Sequence, residues 1–295
     1  MAGGQSSGGP TGGPTALRML VGAHLRRLRE ERGVSRAEAG DRIRGSEWKI
    51  SRMELGRVSF KPRDVADLLT LYGVTDEAER AAVLGRVKEA NAKSWWYAYR
   101  DVTPDWFGRY LGLEATASVI RTYEVQFIPG LLQTEDYARA VVRLGHASAS
   151  AAEIDRRVRL RMERQALLDR SDGPRLWAVI DEAALLRPVG GVEVMRDQLE
   201  ALITTVRKLP RVRVQVIRLA AGGHAAAGGS FSILRFPHPD VPDVVYIEQL
   251  TGALYLHKQE DLDQYSEVVN RLAVDAEPPD RTPEILSDII RDLRR

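Results

Sequence analysis

Residues 34–57, VSRAEAGDRIRGSEWKISRMELGR, constrain this chain more tightly than any other stretch. Ser35 is a strong helix N-cap, and Glu38 three residues later makes the S-x-x-E capping box, so a helix starts there. Ala37, Ala39 and Ile43 then fall on one helical face. Arg44 and Gly45 interrupt the run, with Gly45 as the residue suited to positive φ. Ser46 caps a second helix, in which Ile50 and Met53 pack inward at i, i+3 spacing and Glu47, Trp48, Lys49, Ser51 and Arg52 stay mostly outside. Two short helices across a tight turn, the second carrying polar and basic side chains outward, have the shape and chemistry to enter a DNA groove.

These residues resemble the helix-turn-helix of Cro/C1-type (xenobiotic response element) repressors, which run as Thr-Gln, a Leu-Ala pair, a Gly turn, Ser, Ile-Ser-Arg-Ile-Glu and Gly. Ser35 and Arg36, Ala39 and Gly40, Ser46, the run from Ile50 to Glu54, and Gly56 match with no gap. Arg44 stands where the turn glycine is usual, and Arg36 replaces a glutamine that contacts phosphate in relatives. The resemblance implies that Ser46, Glu47, Trp48, Ser51 and Arg52 face base edges, and that Arg36, Lys49 and Arg57 meet phosphates.

Charge supports that reading locally. The chain as a whole carries only +2, but from Leu17 to Ala66 thirteen Lys and Arg stand against seven Asp and Glu, 13 − 7 = +6. Phosphate neutralisation by such residues supplies most of non-specific DNA affinity. Residues 18–31 read as a helix with Val21, Leu25 and Leu28 inward and Arg26, Arg27, Arg29 and Arg32 around the other side. Residues 61–72 form another, with Val65, Leu68, Leu69 and Tyr72 inward, and residues 76–88 a fifth, with Ala82, Val83 and Val87 apolar. Residues 1–16, rich in Gly, Ser and Pro, read as a mobile tail. Residues 17–90 thus make an all-α, λ-repressor-like domain.

Residues 91–115 change character: Trp95, Trp96 and Trp106 cluster with tyrosines in what reads as a connector, either packed on its own domains or open to a ligand or partner. Residues 151–169 form an Arg-rich helix with Ile154, Val158, Met162 and Ala166 on one face and its arginines paired with acids toward solvent. From residue 174 strand and helix patterns alternate. Residues 176–180, 211–217, 230–236, 244–248 and 253–256 read as strands, and 192–208, 260–272 and 283–293 as helices. Residues 116–295 are therefore an α+β domain around a mixed sheet of four or five strands.

Asp181, Glu182, His224, Glu248, His257 and Lys258 are the polar candidates of that domain. A histidine beside two carboxylates does general acid–base work only if they converge. The loop GGHAAAGG around His224 is either a ligand-closing segment or a plain connection, and it lacks the lysine of a phosphate-binding loop. SWWYAY, PDWFGRYLGLE and YEVQFIPGLLQTEDYARAVV are similar to the domain of unknown function that follows the helix-turn-helix in actinomycete regulators of the WhiJ kind. That resemblance implies a transcriptional regulator, with a small separate partner protein in many relatives.

The expectation is a sequence-specific, DNA-binding regulator and no enzyme. Its second domain senses a ligand or partner, with Trp95, Trp96, Trp106 and His224 as candidate residues, or makes the homodimer that an inverted-repeat operator demands. The alternative is an interaction protein controlled by a small partner, with DNA binding secondary. No metal or other cofactor is expected. With no cysteine and no apolar run long enough to span a bilayer, a cytoplasmic, nucleoid-associated protein is expected.

Overall fold

The computed structural model describes residues 13–293. The chain divides into two compact units, residues up to Tyr97 together with Pro237–Val241, and Ala98–Phe236 together with the chain from Pro242. The first is all-α: α1 (Pro14–Glu31), α2 (Arg36–Arg42), α3 (Glu47–Glu54), α4 (Pro62–Leu71) and α5 (Glu77–Ala90). Of the expected tail, residues 1–12 lie outside the described residues, while Pro14, Thr15 and Ala16 already belong to α1, whose first turn opens on proline.

Leu17, Val21 and Leu25 of α1, Ala39 and Ile43 around α2, Ile50 and Met53 of α3, Val65, Leu68 and Leu69 of α4, and Val83 and Val87 of α5 form one core. Truncating one of its larger members would cost about 2–5 kcal/mol. Gly22 lets α1 approach α3: a Cβ there would lie 2.4 Å from the Met53 carbonyl oxygen. Ala37 and Ala82 differ from expectation in being exposed; Gly40 takes the place of Ala37 against the neighbouring helix. Arg29, expected on the outer face, is buried. Its guanidinium grips the carboxylate of Glu54 through Nε–Oε1 (2.5 Å) and Nη2–Oε2 (3.2 Å), and Arg36 Nε adds a third bond to Oε2 (3.0 Å). This ion triad ties α1, α2 and α3 together.

The second unit is α+β. Its six-stranded sheet has the order β3-β2-β1-β4-β5-β6, built from β1 (Val119–Glu124), β2 (Arg175–Asp181), β3 (Val212–Ile217), β4 (Phe231–Arg235), β5 (Val244–Gln249) and β6 (Gly252–Leu256). β1, β2 and β3 are parallel; β1 to β4, β4 to β5 and β5 to β6 are antiparallel. The strand beyond the expected count is β1. Its helices are α6 (Asp105–Glu114), α7 (Glu135–Gly145), α8 (Ala151–Asp169), α9 (Glu182–Leu186), α10 (Val192–Lys208), α11 (Gln259–Asp275) and α12 (Thr282–Asp292). Asp105–Glu114, expected in the connector, is thus a helix of this unit.

Alternation along the strands sorts the two faces. Tyr123, Val179, Ile217, Phe231, Ile233 and Val245 point to one face and pack against Leu262, Val269 and Leu272 of α11. The other face carries Thr122, whose hydroxyl accepts from Ser232 Oγ (2.9 Å), and Tyr246, whose ring lies 4.2 Å from Tyr110 of α6. Arg156 and Arg157 of α8 pair with Asp101 (2.7 Å) and Glu153 (3.2 Å) as expected, but Arg161 and Arg164 depart from solvent-facing pairs. Arg164 is buried in a two-bond ion pair with Glu114 (2.9 and 2.8 Å), and Arg161 Nη1 donates to Gln133 Oε1 (2.8 Å). Ala166, expected inward, is exposed. The sheet's polar end has drawn these arginines in.

Candidate nucleic-acid interface

Ser35 Oγ accepts from the Glu38 N–H (3.1 Å), the first half of the expected capping box, and starts α2. The turn that follows differs from expectation. Arg44, not Gly45, takes positive φ, at 51°, and is the non-glycine residue to do so among those described. The turn thus keeps its position with an arginine in the usual place of glycine, storing about 1–2 kcal/mol of backbone strain. Gly45 N–H closes it on the Gly40 carbonyl (2.8 Å). Ser46 Oγ then accepts from Lys49 N–H (3.3 Å) and starts α3, the second helix of the motif.

Burial of Ile50 and Met53 fixes the rotation of α3, and the rest of its surface follows. Ser46, Glu47 and Arg52 are exposed, Ser51 is half-buried, and Trp48 is 72% exposed. An indole that open carries apolar surface that a partner would cover. The Arg52 side chain enters no hydrogen bond or ion pair with the described residues, which leaves its planar donor fork for a ligand. The three residues assigned to phosphates are held differently. Lys49 Nζ pairs with Asp64 Oδ2 (2.6 Å), and Arg36 spends Nε on Glu54. Arg57 is half-buried, and burial lowers the pKa of its guanidinium. Arg44, Lys61 and Arg63 are exposed cations around the same helices that the sequence pattern did not single out.

The candidate ligand or partner residues separate. Trp95 and Trp96, rings edge to face at 5.9 Å, lie in the first unit, whereas Trp106 and His224 lie in the second. Trp106 is half-buried at the start of α6, its carbonyl taking the Tyr255 hydroxyl (2.5 Å). His224 Nε2 lies 2.9 Å from Tyr123 Oη and 3.5 Å from Asp181 Oδ2. Its Nδ1 accepts from the Ala226 N–H (3.2 Å), so Nε2 carries the ring proton. Asp181 caps α9 through the Ala183 N–H (2.8 Å), and Glu182 holds Leu219 N–H (2.7 Å) and Arg218 Nε (2.8 Å). The Gly-rich loop is therefore pinned through His224 and the buried Ala226. Glu248 does not join this group: it stands on the sheet face opposite Tyr123, where its carboxylate takes the Tyr246 hydroxyl (2.8 Å).

Residues 107–288 match a family described as a domain of unknown function, DUF5753. The chain belongs to that family. Ahead of the DUF5753 domain, residues 20–83 match a helix-turn-helix domain family, covering the motif, α4 and the first half of α5. Neither a curated protein nor a solved structure matches the chain. A helix-turn-helix followed by a DUF5753 domain bears out the two resemblances drawn from the motifs. Among the described residues no helix is long and apolar enough to cross a membrane.

The sequence passed over a second polar group, on the α6/α8 side of the sheet. Thr122, Ser232 and Tyr246 form one row across β1, β4 and β5. Glu124 at the end of β1 accepts from Thr122 Oγ1 (3.4 Å). Burial pushes the Glu124 carboxyl up to about 7, with the nearby Glu248 charge adding to the rise. Burial likewise lowers the Arg161 guanidinium to about 10. No simple spacing announces these residues, because three strands and α8 supply them.

Proposed function

We propose that this protein is a sequence-specific, DNA-binding transcriptional regulator that binds an inverted repeat as a homodimer, with the DUF5753 domain sensing a ligand. The observation that carries the reading is α3: a capped helix fixed by Ile50 and Met53 that presents Ser46, Glu47, Trp48, Ser51 and an unengaged Arg52 on one exposed surface. Arg52 is suited to two bonds with guanine O6 and N7, and Glu47 to the amino group of cytosine. Arg36, Lys49 and Arg57 contact phosphates, the first two through the donors that Glu54 and Asp64 leave over. One short helix reads few base pairs, and two-fold pairing on a palindromic site is the usual remedy.

The second domain acts by binding and not by catalysis. His224, its candidate proton carrier, has both ring nitrogens committed to Ala226 and to the Tyr123–Asp181 pair. A bacterial cytosol, and an actinomycete one by the motifs of residues 94–142, suits a regulator that must reach the chromosome. The test is Arg52→Ala, compared on the preferred site and on unrelated DNA at one salt concentration. A loss of about 1–3 kcal/mol on the preferred site alone, with relaxed base preference, supports base reading. An equal loss on all sequences would move Arg52 to the phosphates.

A further inference from the structure

One side chain of α3 has a chemistry that charge and hydrogen bonding leave unused. Trp48 is 72% exposed, and among the described residues up to Lys93 it is the one large apolar side chain left open to solvent. No ring or cation among the described residues stacks on its indole. Its neighbours are of the opposite kind. Ser46 and Glu47 precede it, both exposed, and Ser51 and Arg52 follow one turn later on the same side of the helix.

That setting decides what covers the indole. A face built for a protein partner is a contiguous apolar patch of roughly several hundred Å². One tryptophan, with about 150–250 Å² in all, does not supply it when its neighbours are charged or hydroxylated. The counterpart that fits is a single apolar group set among hydrogen-bonding atoms. The major groove of DNA holds such a group in the C5-methyl of thymine, which stands beside the base-edge donors and acceptors that Glu47, Ser51 and Arg52 are suited to meet. Position agrees with chemistry. Trp48 is the second residue of α3, and the N-terminal residues of a recognition helix are the ones that reach base edges. Ile50 and Met53, 1% and 2% exposed, fix the rotation of the helix, and the Ser46 cap on the Lys49 N–H fixes its first turn. Arg52, four residues on, lies about 6 Å further along the helix axis, a distance of about two base steps.

We propose that Trp48 is a specificity-determining residue that selects thymine, its indole covering the C5-methyl of a thymine within about two base pairs of the guanine that Arg52 engages. The inference rests on the reading of α3 as the recognition helix and names the base chemistry that this helix selects. Thymine and uracil present the same major-groove acceptor and differ by the methyl group. A hydrogen-bonding residue therefore treats them alike, and an apolar contact does not.

The experiment uses the full-length protein and a synthetic random-sequence duplex library, which contains no 5-methylcytosine. The selected site is remade with each thymine replaced in turn by deoxyuridine, which keeps the base pair and its hydrogen-bonding edge. At one thymine of each half-site the wild type loses about fourfold in affinity, the worth of burying one methyl-sized group. Trp48→Ala binds the thymine site more weakly and is indifferent to that replacement, while its Tm stays at the wild-type value because the indole is exposed in the free protein. Arg52→Ala keeps the sensitivity to deoxyuridine, which separates the two contacts. The inference is overturned if the wild type binds every deoxyuridine site as tightly as the thymine site, if Trp48→Ala shows the same loss as the wild type, or if Trp48→Ala leaves DNA affinity untouched. A library that yields no preferred site overturns the recognition-helix reading and this inference with it, a result distinct from a selected site that ignores the methyl group.

Discussion

Glu124→Gln gives the most quantitative test of the polar end of the sheet. The carboxyl rises from its ordinary 4.5 to about 7, first through burial and then through Glu248, while Ser230, Thr122 and Arg161 oppose the rise. The native state therefore holds a proton at Glu124 that the unfolded chain has released between these values. Stability from this group is complete below pH 4.5 and is lost as pH rises through 7. Between about pH 5 and about pH 8 the loss is at most about 2.5 kcal/mol, a ceiling because the half-buried side chain is partly screened. Glutamine keeps the acceptor for Thr122 and Ser230 and cannot titrate. Urea unfolding at a series of pH values gives ΔG for both proteins. Other carboxylates and histidines titrate alike in the two and cancel. The variant gains on the wild type as pH rises, by about 1–2.5 kcal/mol after screening. Parallel stability curves would show that Glu124 is solvated like any surface acid.

Further outcomes concern the motif. Glu54→Gln leaves the Arg29 guanidinium buried without its counter-charge and should cost about 3–5 kcal/mol in thermal unfolding. A cost below about 1 kcal/mol would mean the triad is not closed in solution. Arg44→Gly exchanges about 1–2 kcal/mol of left-handed strain for about 0.5–1 kcal/mol of added unfolded-state freedom, so stability stays level or rises by up to about 1 kcal/mol. A clear loss would reveal a role for the Arg44 side chain in holding the turn. A fragment ending at Lys93, past the Asn91 side chain that clamps Phe60 (2.7 and 3.0 Å), folds alone and binds DNA more weakly than the full chain. Equal affinity would exclude the second domain as the dimer's source.

Local chemistry explains which elements could be read in advance. Ser35 and Ser46 both accept at their helix starts as hydroxyl caps do. The alternation of residues 211–217 is that of a strand whose buried positions face α10 and α12 on one side and α11 on the other. β1 escaped because its polar residues are used inside the fold: Arg121 stacks on Trp177 at 4.7 Å, and Thr122 bonds across to Ser232. Arg29, Arg161 and Arg164 looked like surface charge because their partners Glu54, Gln133 and Glu114 lie far away in sequence. The exposed face of α3 was legible from Ile50 and Met53 alone. The row of Thr122, Ser232 and Tyr246 was not, since only strand register brings it together.

The central claim is that α3 reads DNA sequence, and the direct measurement is selection of bound fragments from sheared genomic DNA by the purified full-length protein at one moderate salt concentration. The account predicts enrichment of a short inverted repeat whose half-sites lie about one helical turn apart, and loss of that enrichment in Arg52→Ala. Recovery of fragments in proportion to their abundance, with the wild type no different from the variant, would contradict it.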